Sequence, residues 1–155
     1  MAPRTRDLLI LLNGYWELRC PRDERELIIV ASHWTLDAGV ASRVMSLGEW
    51  SLDCLGVRAW LISGGRTCQE QMKLQAKPGS MATDCARSTH VIDFPGQRWA
   101  TGADLGFDRT LSVSEKQQLG REAERLGLRW GGGSSKDRNG IPLDWNHFDD
   151  GPRRN

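Results

Sequence analysis

No stretch of the chain approaches the ~20 consecutive apolar residues that a membrane-crossing helix needs, so no membrane insertion is expected. Charge of one sign is missing too: 21 Lys and Arg face 20 Asp and Glu, a net of +1. Nucleic-acid-binding domains carry a basic patch or stripe; overall charge points to none here, and Arg4, Arg6, Arg153 and Arg154 read as solvated tails. There is no internal repeat and no low-complexity tract, and no lysine follows Gly131–Gly133 in the spacing of a phosphate loop. The four cysteines, at 20, 54, 68 and 85, form no C-x-x-C pair and match neither a zinc ribbon nor a dense disulfide framework. Reduced, partly buried thiols are the expectation, with a Cys68–Cys85 bridge as the alternative. Histidine is scarce, with three in the whole chain, at 33, 90 and 147.

What is present is enough for a core. A hydrophobic content of 39% with seven tryptophans in 155 residues indicates one folded domain over 1–155, with 1–30 a less readable N-terminal extension and 151–155 a tail. Trp16, Trp34, Trp50 and Trp60 are expected as core or cleft-wall aromatics rather than a carbohydrate platform. The apolar run Leu8–Leu12 follows basic residues but is too short for a signal-peptide core, and no small-residue cleavage site follows it closely. The expectation is a protein made in the cytoplasm without a signal peptide.

Taken in order, the runs Leu8–Leu12 and Leu27–Ala31 each fit a strand or part of a helix. From Thr35, a reasonable N-cap with Asp37 in the first turn, apolar positions Leu36, Val40, Val44, Leu47 and Cys54 or Leu55 recur at helical spacing. Gly56 stops this helix, and Gly48 marks a break point within it. Val57–Ser63 alternates as a strand and ends at Gly64-Gly65-Arg66-Thr67, where Thr67 and Glu70 form a capping box. Residues 77–87 read as a loop that delivers Ser88-Thr89-His90, and Gly102–Phe107 as a short strand carrying Asp104. Ser112 and Glu115 open a helix with an inward face of Leu119, Ala123 and Leu126, which Gly127 ends before a strand start at Leu128–Trp130. The fold class expected is α+β, a small antiparallel sheet flanked by helices.

The chemistry gathers near the end of the chain, in GLRWGGGSSKDRNGIPLDWNHF, residues 127–148. Asp144 stands three residues before His147, a pattern suited to a metal site with imidazole as ligand and carboxylate as base. His90, Asp104 and His147 then make a His–Asp–His set from three elements. Three protein ligands with one open position is the arrangement of a catalytic Zn2+, which lowers the pKa of coordinated water to roughly 7. In this reading Asp144 is the general base, and Arg66, at a strand-to-helix corner, neutralises the oxyanion that forms at an attacked carbonyl. His33 is read as structural or exposed.

These residues resemble a known family. SGGRT followed by Gln71, then S-x-H, an Ala-Asp on a short strand, GLRWGG and D-x-x-HF are similar to the zinc D-alanyl-D-alanine peptidase group, over roughly residues 35–150. That group includes D,D-carboxypeptidases, vancomycin-resistance dipeptidases and phage L-alanyl-D-glutamate endolysins, and shares the fold of Hedgehog signalling domains. The resemblance implies that His90, Asp104 and His147 hold zinc, that Asp144 takes the place of the catalytic acid and that Arg66 is the motif arginine. It further implies that Gln71 and Ser88 shape the substrate site and that Trp130 lines the cleft. One departure stands out: thirteen residues (91–103) separate His90 from Asp104 where the family has about six. An insertion near DFPGQRWA that bulges out as a loop accounts for this, and Asp93 and Asp108 stand as rival ligands.

The function implied is a monomeric zinc metallopeptidase acting on peptidoglycan stem peptides in the bacterial cell wall, as a D-Ala-D-Ala carboxypeptidase or an L-Ala-D-Glu endopeptidase of the phage-lysin kind. The alternative is a catalytically silent module of the same fold that binds peptidoglycan or a protein, such as a phage structural component. A His-Asn-His nuclease, raised by Asn146-His147, leaves Arg66 and GLRWGG without a role.

Overall fold

In the computed structural model of the chain, which describes residues 16–17 and 36–152, the elements run β1 (Trp16–Glu17), α1 (Ala38–Leu55), β2 (Ala59–Ser63), α2 (Cys68–Gln75), β3 (Gly102–Phe107), α3 (Val113–Arg125), β4 (Arg129–Trp130) and β5 (His147–Asp149). A single turn of 3-10 helix, Gly131–Gly133, follows β4. The strands form one antiparallel sheet in the order β1-β2-β3-β5-β4, so the fold is α+β with a small antiparallel sheet. His33, Trp34, Thr35, the side chain of Trp16 and the runs Leu8–Leu12 and Leu27–Ala31 lie outside the described residues.

Helix ends follow local chemistry, with one correction. Asp37 is itself the N-cap of α1, its carboxylate accepting from the backbone N–H of Gly39 (2.9 Å) and Val40 (3.2 Å), rather than a residue of the first turn. A carboxylate reaches those free N–H groups and complements the positive end of the helix dipole. The helix then runs through Gly48 without a break, because Gly48 is buried among Val44, Leu47, Ser51 and Leu52, and packing overrides the ~1 kcal/mol propensity cost of glycine. Its inward face continues from Ser51 and Leu52 to Leu55, which is partly buried against the core, whereas Cys54 is exposed. Both capping boxes form, Thr67 with Glu70 and Ser112 with Glu115.

Leu47, Val40 and Val44 of α1 meet Leu119 and Ala123 of α3 over one face of the sheet, where Ala59, Leu61, Ala103, Leu105 and Phe148 point. Trp50 packs against the margin of this cluster. Because side chains alternate along a strand, the residues between these core positions share the opposite face. The registers fix the consequence: Ala103 faces Phe148 in the core, so Asp104 and His147, the next pair, are cross-strand neighbours on the other face. Arg129 on β4 pairs with Asp149 on β5, which puts both on that same face. The core side of the sheet thereby dictates where the polar residues converge.

Candidate metal centre

Three elements deliver the candidate ligands. Asp104 and His147 come from adjacent strands, and their side chains meet at 2.8 Å, His147 Nδ1 to Asp104 Oδ1. His90 comes from the long connection between α2 and β3, pinned to the strand-to-helix corner by bonds from Arg66 N to His90 O (2.8 Å) and from Ile92 N to Arg66 O (3.0 Å). Its Nε2 lies 3.2 Å from His147 Nδ1 and 3.4 Å from Asp104 Oδ2. Both histidines are buried and Asp104 is partly buried. One ligand atom from each of the three lies within 4.8 Å of the others, close enough to hold a metal ion.

The rivals for the carboxylate position are engaged elsewhere. Asp93 accepts from the backbone N–H of Cys68 at the start of α2, and Asp108 from that of Arg58 (3.1 Å). The thirteen-residue separation is absorbed by a closed loop: Thr101 N and Gly102 N both donate to Thr89 O, at 2.7 and 3.2 Å. The chain therefore leaves at Thr89 and returns beside it, so the distance between His90 and Asp104 is set by this closure and by the bonds of His90 and Ile92 to Arg66 rather than by the count of residues between them.

The outer nitrogens of both imidazoles are already used. Gly64 O, 2.7 Å from His90 Nδ1, can only accept, so Nδ1 donates outward and Nε2 is the nitrogen that faces the centre. His147 Nε2 lies 2.8 Å from Asp149 Oδ2. Asp149 is in turn clamped by Arg129, Nε and Nη2 each 2.8 Å from its two oxygens. Burial would push Asp149 up, but hydrogen bonds to His147 and Arg129 bring it down to about 2, so it stays ionised and His147 Nε2 donates. A carboxylate–histidine pair of this kind fixes the ring's orientation and raises its basicity as a ligand. His147 Nδ1 then points inward beside His90 Nε2 and the Asp104 carboxylate. Two inward nitrogens this close to each other and to a carboxylate need a cation between them, a proton or a metal ion.

Electrostatics agree. Burial alone would lower His147, but Asp104 and Asp149 outweigh it and raise its pKa to about 9. Burial alone would raise Asp104, yet the charges and hydrogen bonds of His90 and His147 hold it well below the usual carboxylate range. Nitrogen and carboxylate donors in a set of three match the ligand chemistry of a divalent transition metal, so the residues fit a metal ion.

No protein-family model matches the chain, and no curated protein matches it.

The centre opens into a cavity of about 400 Å3 lined by Arg66, Gln71, Ser88, Asp144 and the Gly131–Gly133 turn, among others. Asp144 is pushed up from the usual carboxylate value by burial and then by the negative charge of Asp104, against the pull of His147, His90 and Arg66. Arg66 Nη2 is 3.7 Å from Asp104 Oδ2 and donates to Ser63 Oγ at 2.6 Å; desolvation lowers its pKa. Gln71, buried, donates from Nε2 to Thr83 O (2.6 Å), and Ser88 Oγ accepts from His90 N (3.3 Å). Gly132 adopts φ +60°, and a Cβ there would lie 2.8 Å from His147 Cδ2, so the glycine turn lets the backbone close over the imidazole.

Trp130 is not among the residues lining this cavity. Its indole lies against α3, where a Cβ on Gly120 would meet it at 2.2 Å, and its Nε1 donates to Trp145 O at 2.6 Å. It faces away because it pairs with the core-facing Phe148, whereas Arg129 shares the face of the ligands. A second correction concerns the thiols: Cys68 and Cys85 form a disulfide, with Cα atoms 5.3 Å apart. It ties the first residue of α2 to the loop whose residues 80–83 and 87–88 wall the cavity. Sequence reasoning missed Asp149 and Arg129. Asp149 had a signal, since His147-Phe148-Asp149 alternates as a strand and so shows both polar residues on one face; Arg129 had none before the pairing of β4 and β5 was known.

Proposed function

We propose that the chain is a zinc-dependent peptidase that hydrolyses a peptide bond in the stem peptides of bacterial peptidoglycan, with the Hedgehog/DD-peptidase-like fold, acting as a monomer on the cell wall in the manner of a phage lysin. The observation that carries the metal reading is the pair of imidazoles with both outer nitrogens committed to Gly64 and Asp149 and both inner nitrogens facing Asp104. The substrate class rests on the motif resemblance.

When bound, zinc would polarise a carbonyl and acidify a coordinated water. The protein's own groups supply the remainder. Asp144, raised by burial and by Asp104, takes the proton of the attacking water and passes it to the leaving nitrogen as the C–N bond breaks. The Arg66 guanidinium, which lines the same cavity, offsets the negative charge that develops on the carbonyl oxygen. Gln71 and Ser88 shape the wall that orients the peptide, and Asp149 with Arg129 keeps His147 in its ligating tautomer.

Digestion of purified sacculi and soluble muropeptides, followed by mass spectrometry, tests the proposal. The expected products carry one new amino and one new carboxyl group at a stem-peptide bond, vanish after chelation and return with added zinc. Zinc-loaded protein that leaves both substrates intact would instead favour the silent binding module.

A further inference from the structure

A second cavity, of about 630 Å3, adjoins the first and shares Arg66, Leu74 and Asp104 with it. Its other lining residues are Ser63, Glu70, Lys73 and Lys77. The charged groups around it are therefore three cations and two carboxylates. Both carboxylates are engaged: Glu70 accepts from Thr67 N (2.8 Å) and Thr67 Oγ1 (3.1 Å) in the capping box, and Asp104 faces the histidines. Arg66 is partnered by Ser63 and Asp104. Lys73 and Lys77 remain, four residues apart, exposed, with no side-chain partner among the described residues. A lysine in the last turn of a helix complements the helix dipole, which accounts for Lys73. It does not account for Lys77, which lies beyond the C-cap Ala76 and lines the same cavity.

We propose that this second cavity is a substrate subsite in which Lys73 and Lys77 receive a carboxylate borne by the peptide chain beyond the bond under attack. This rests on the peptidase reading of the metal centre and deepens it. A peptide lying across the centre meets Asp144 and the glycine turn in the first cavity, and its continuation past Arg66 enters the second. Lys73 in the last turn of α2 and Lys77 just past its end present ammonium groups to one anionic group, a point-charge arrangement that selects for charge rather than for a planar fork. Exposed pairs are individually weak, so the effect belongs to selectivity between charged and neutral substrates.

The test compares matched muropeptides whose stem-peptide carboxylates are free or converted to amides, using zinc-loaded full-length protein. Both hydrolysis (kcat/KM) and equilibrium binding by calorimetry are measured. Wild type is expected to favour the free-carboxylate form by about three- to tenfold, with the ratio falling towards one in Lys73→Ala/Lys77→Ala and inverting in Lys73→Glu/Lys77→Glu. Circular dichroism and zinc content verify that the variants are folded and loaded. Hydrolysis with the same ratio in all three proteins overturns the subsite and leaves the peptidase reading standing. A binding ratio that follows the lysines without any hydrolysis supports the subsite while the peptidase reading falls. Absence of any charge preference in wild-type binding overturns the subsite outright.

Discussion

The shifted titration of His147 makes metal binding depend on pH in a way that an unperturbed histidine would not. In the metal-free protein the inward Nδ1 holds a proton up to about pH 9, and a metal ion must displace it. Below that pKa the apparent affinity rises about tenfold per pH unit, because each unit removes a factor of ten in proton competition. Between pH 7 and pH 9 the gain is therefore on the order of 50- to 100-fold. For a histidine at the ordinary value near 6.5 the same interval would change affinity by less than about twofold. Competition against a chromophoric chelator at half-unit steps from pH 6.5 to 9.5 measures the slope. Asp149→Asn removes a carboxylate that raises His147, so the plateau should begin at lower pH; the weakened ligand should also cost about 10- to 100-fold in affinity measured on the plateau. Stability gives a second readout with a defined sign. A folded-state pKa above the unfolded one stabilises fully below about pH 6.5 and loses that contribution as pH rises through about 9. The metal-free protein should accordingly lose thermal stability between pH 7 and 9.5, and the loaded protein should not. A wild-type affinity that is flat above pH 7 would refute the Asp104–His147–Asp149 arrangement as the source of the shift.

Three further outcomes are expected. Asp144→Asn should retain zinc by elemental analysis and lose about 10²- to 10⁴-fold in turnover; full activity would place the base elsewhere. Arg66→Lys should leave the melting temperature within a few degrees and lower kcat at least about tenfold, because an ammonium cannot reproduce the guanidinium geometry over the cavity; unchanged kinetics would remove the oxyanion role. Cys68→Ser/Cys85→Ser opens a covalent loop of sequence separation 17, costing about 3 kcal/mol and on the order of 10 °C in melting temperature; an unchanged melting curve under non-reducing conditions would show that the bridge does not form.

How much was legible depended on whether a signal was local. Ser112 with Glu115 and Thr67 with Glu70 lie three residues apart, and each pair satisfies orphan N–H groups by itself, so both helix starts were readable without tertiary information. Gly102–Phe107 was readable as a strand, and with it the position of Asp104. The start of α1 was harder, because Thr35 and Asp37 are both competent caps two residues apart and only the geometry of Asp37 decides between them. The disulfide was legible only as the alternative to reduced thiols, since a spacing of 17 residues is no motif and depends on the loop folding back to α2. Trp130 was misdirected for the same kind of reason: its aim depends on which of two neighbouring residues in β4 faces the core, and a one-residue change of register reverses that.

The register argument also explains why an atypical spacing does not count against the metal centre. Motif spacing constrains geometry only when the chain between two residues runs directly from one to the other. Here it does not. Thr89 and the start of β3 are joined by two hydrogen bonds to one carbonyl, so the residues between them form a closed excursion. Asp104 and His147 are fixed by their direct pairing across β3 and β5, and His90 by its backbone ladder with Arg66. Each ligand is thus located by a cross-chain contact rather than by counting along the sequence. A shortened loop that preserves the Thr89–Thr101 closure should therefore leave metal affinity unchanged, whereas replacing Gly102, whose Cβ would meet Thr89 Oγ1 at 2.2 Å, should disturb both the closure and the adjacent imidazole of His147.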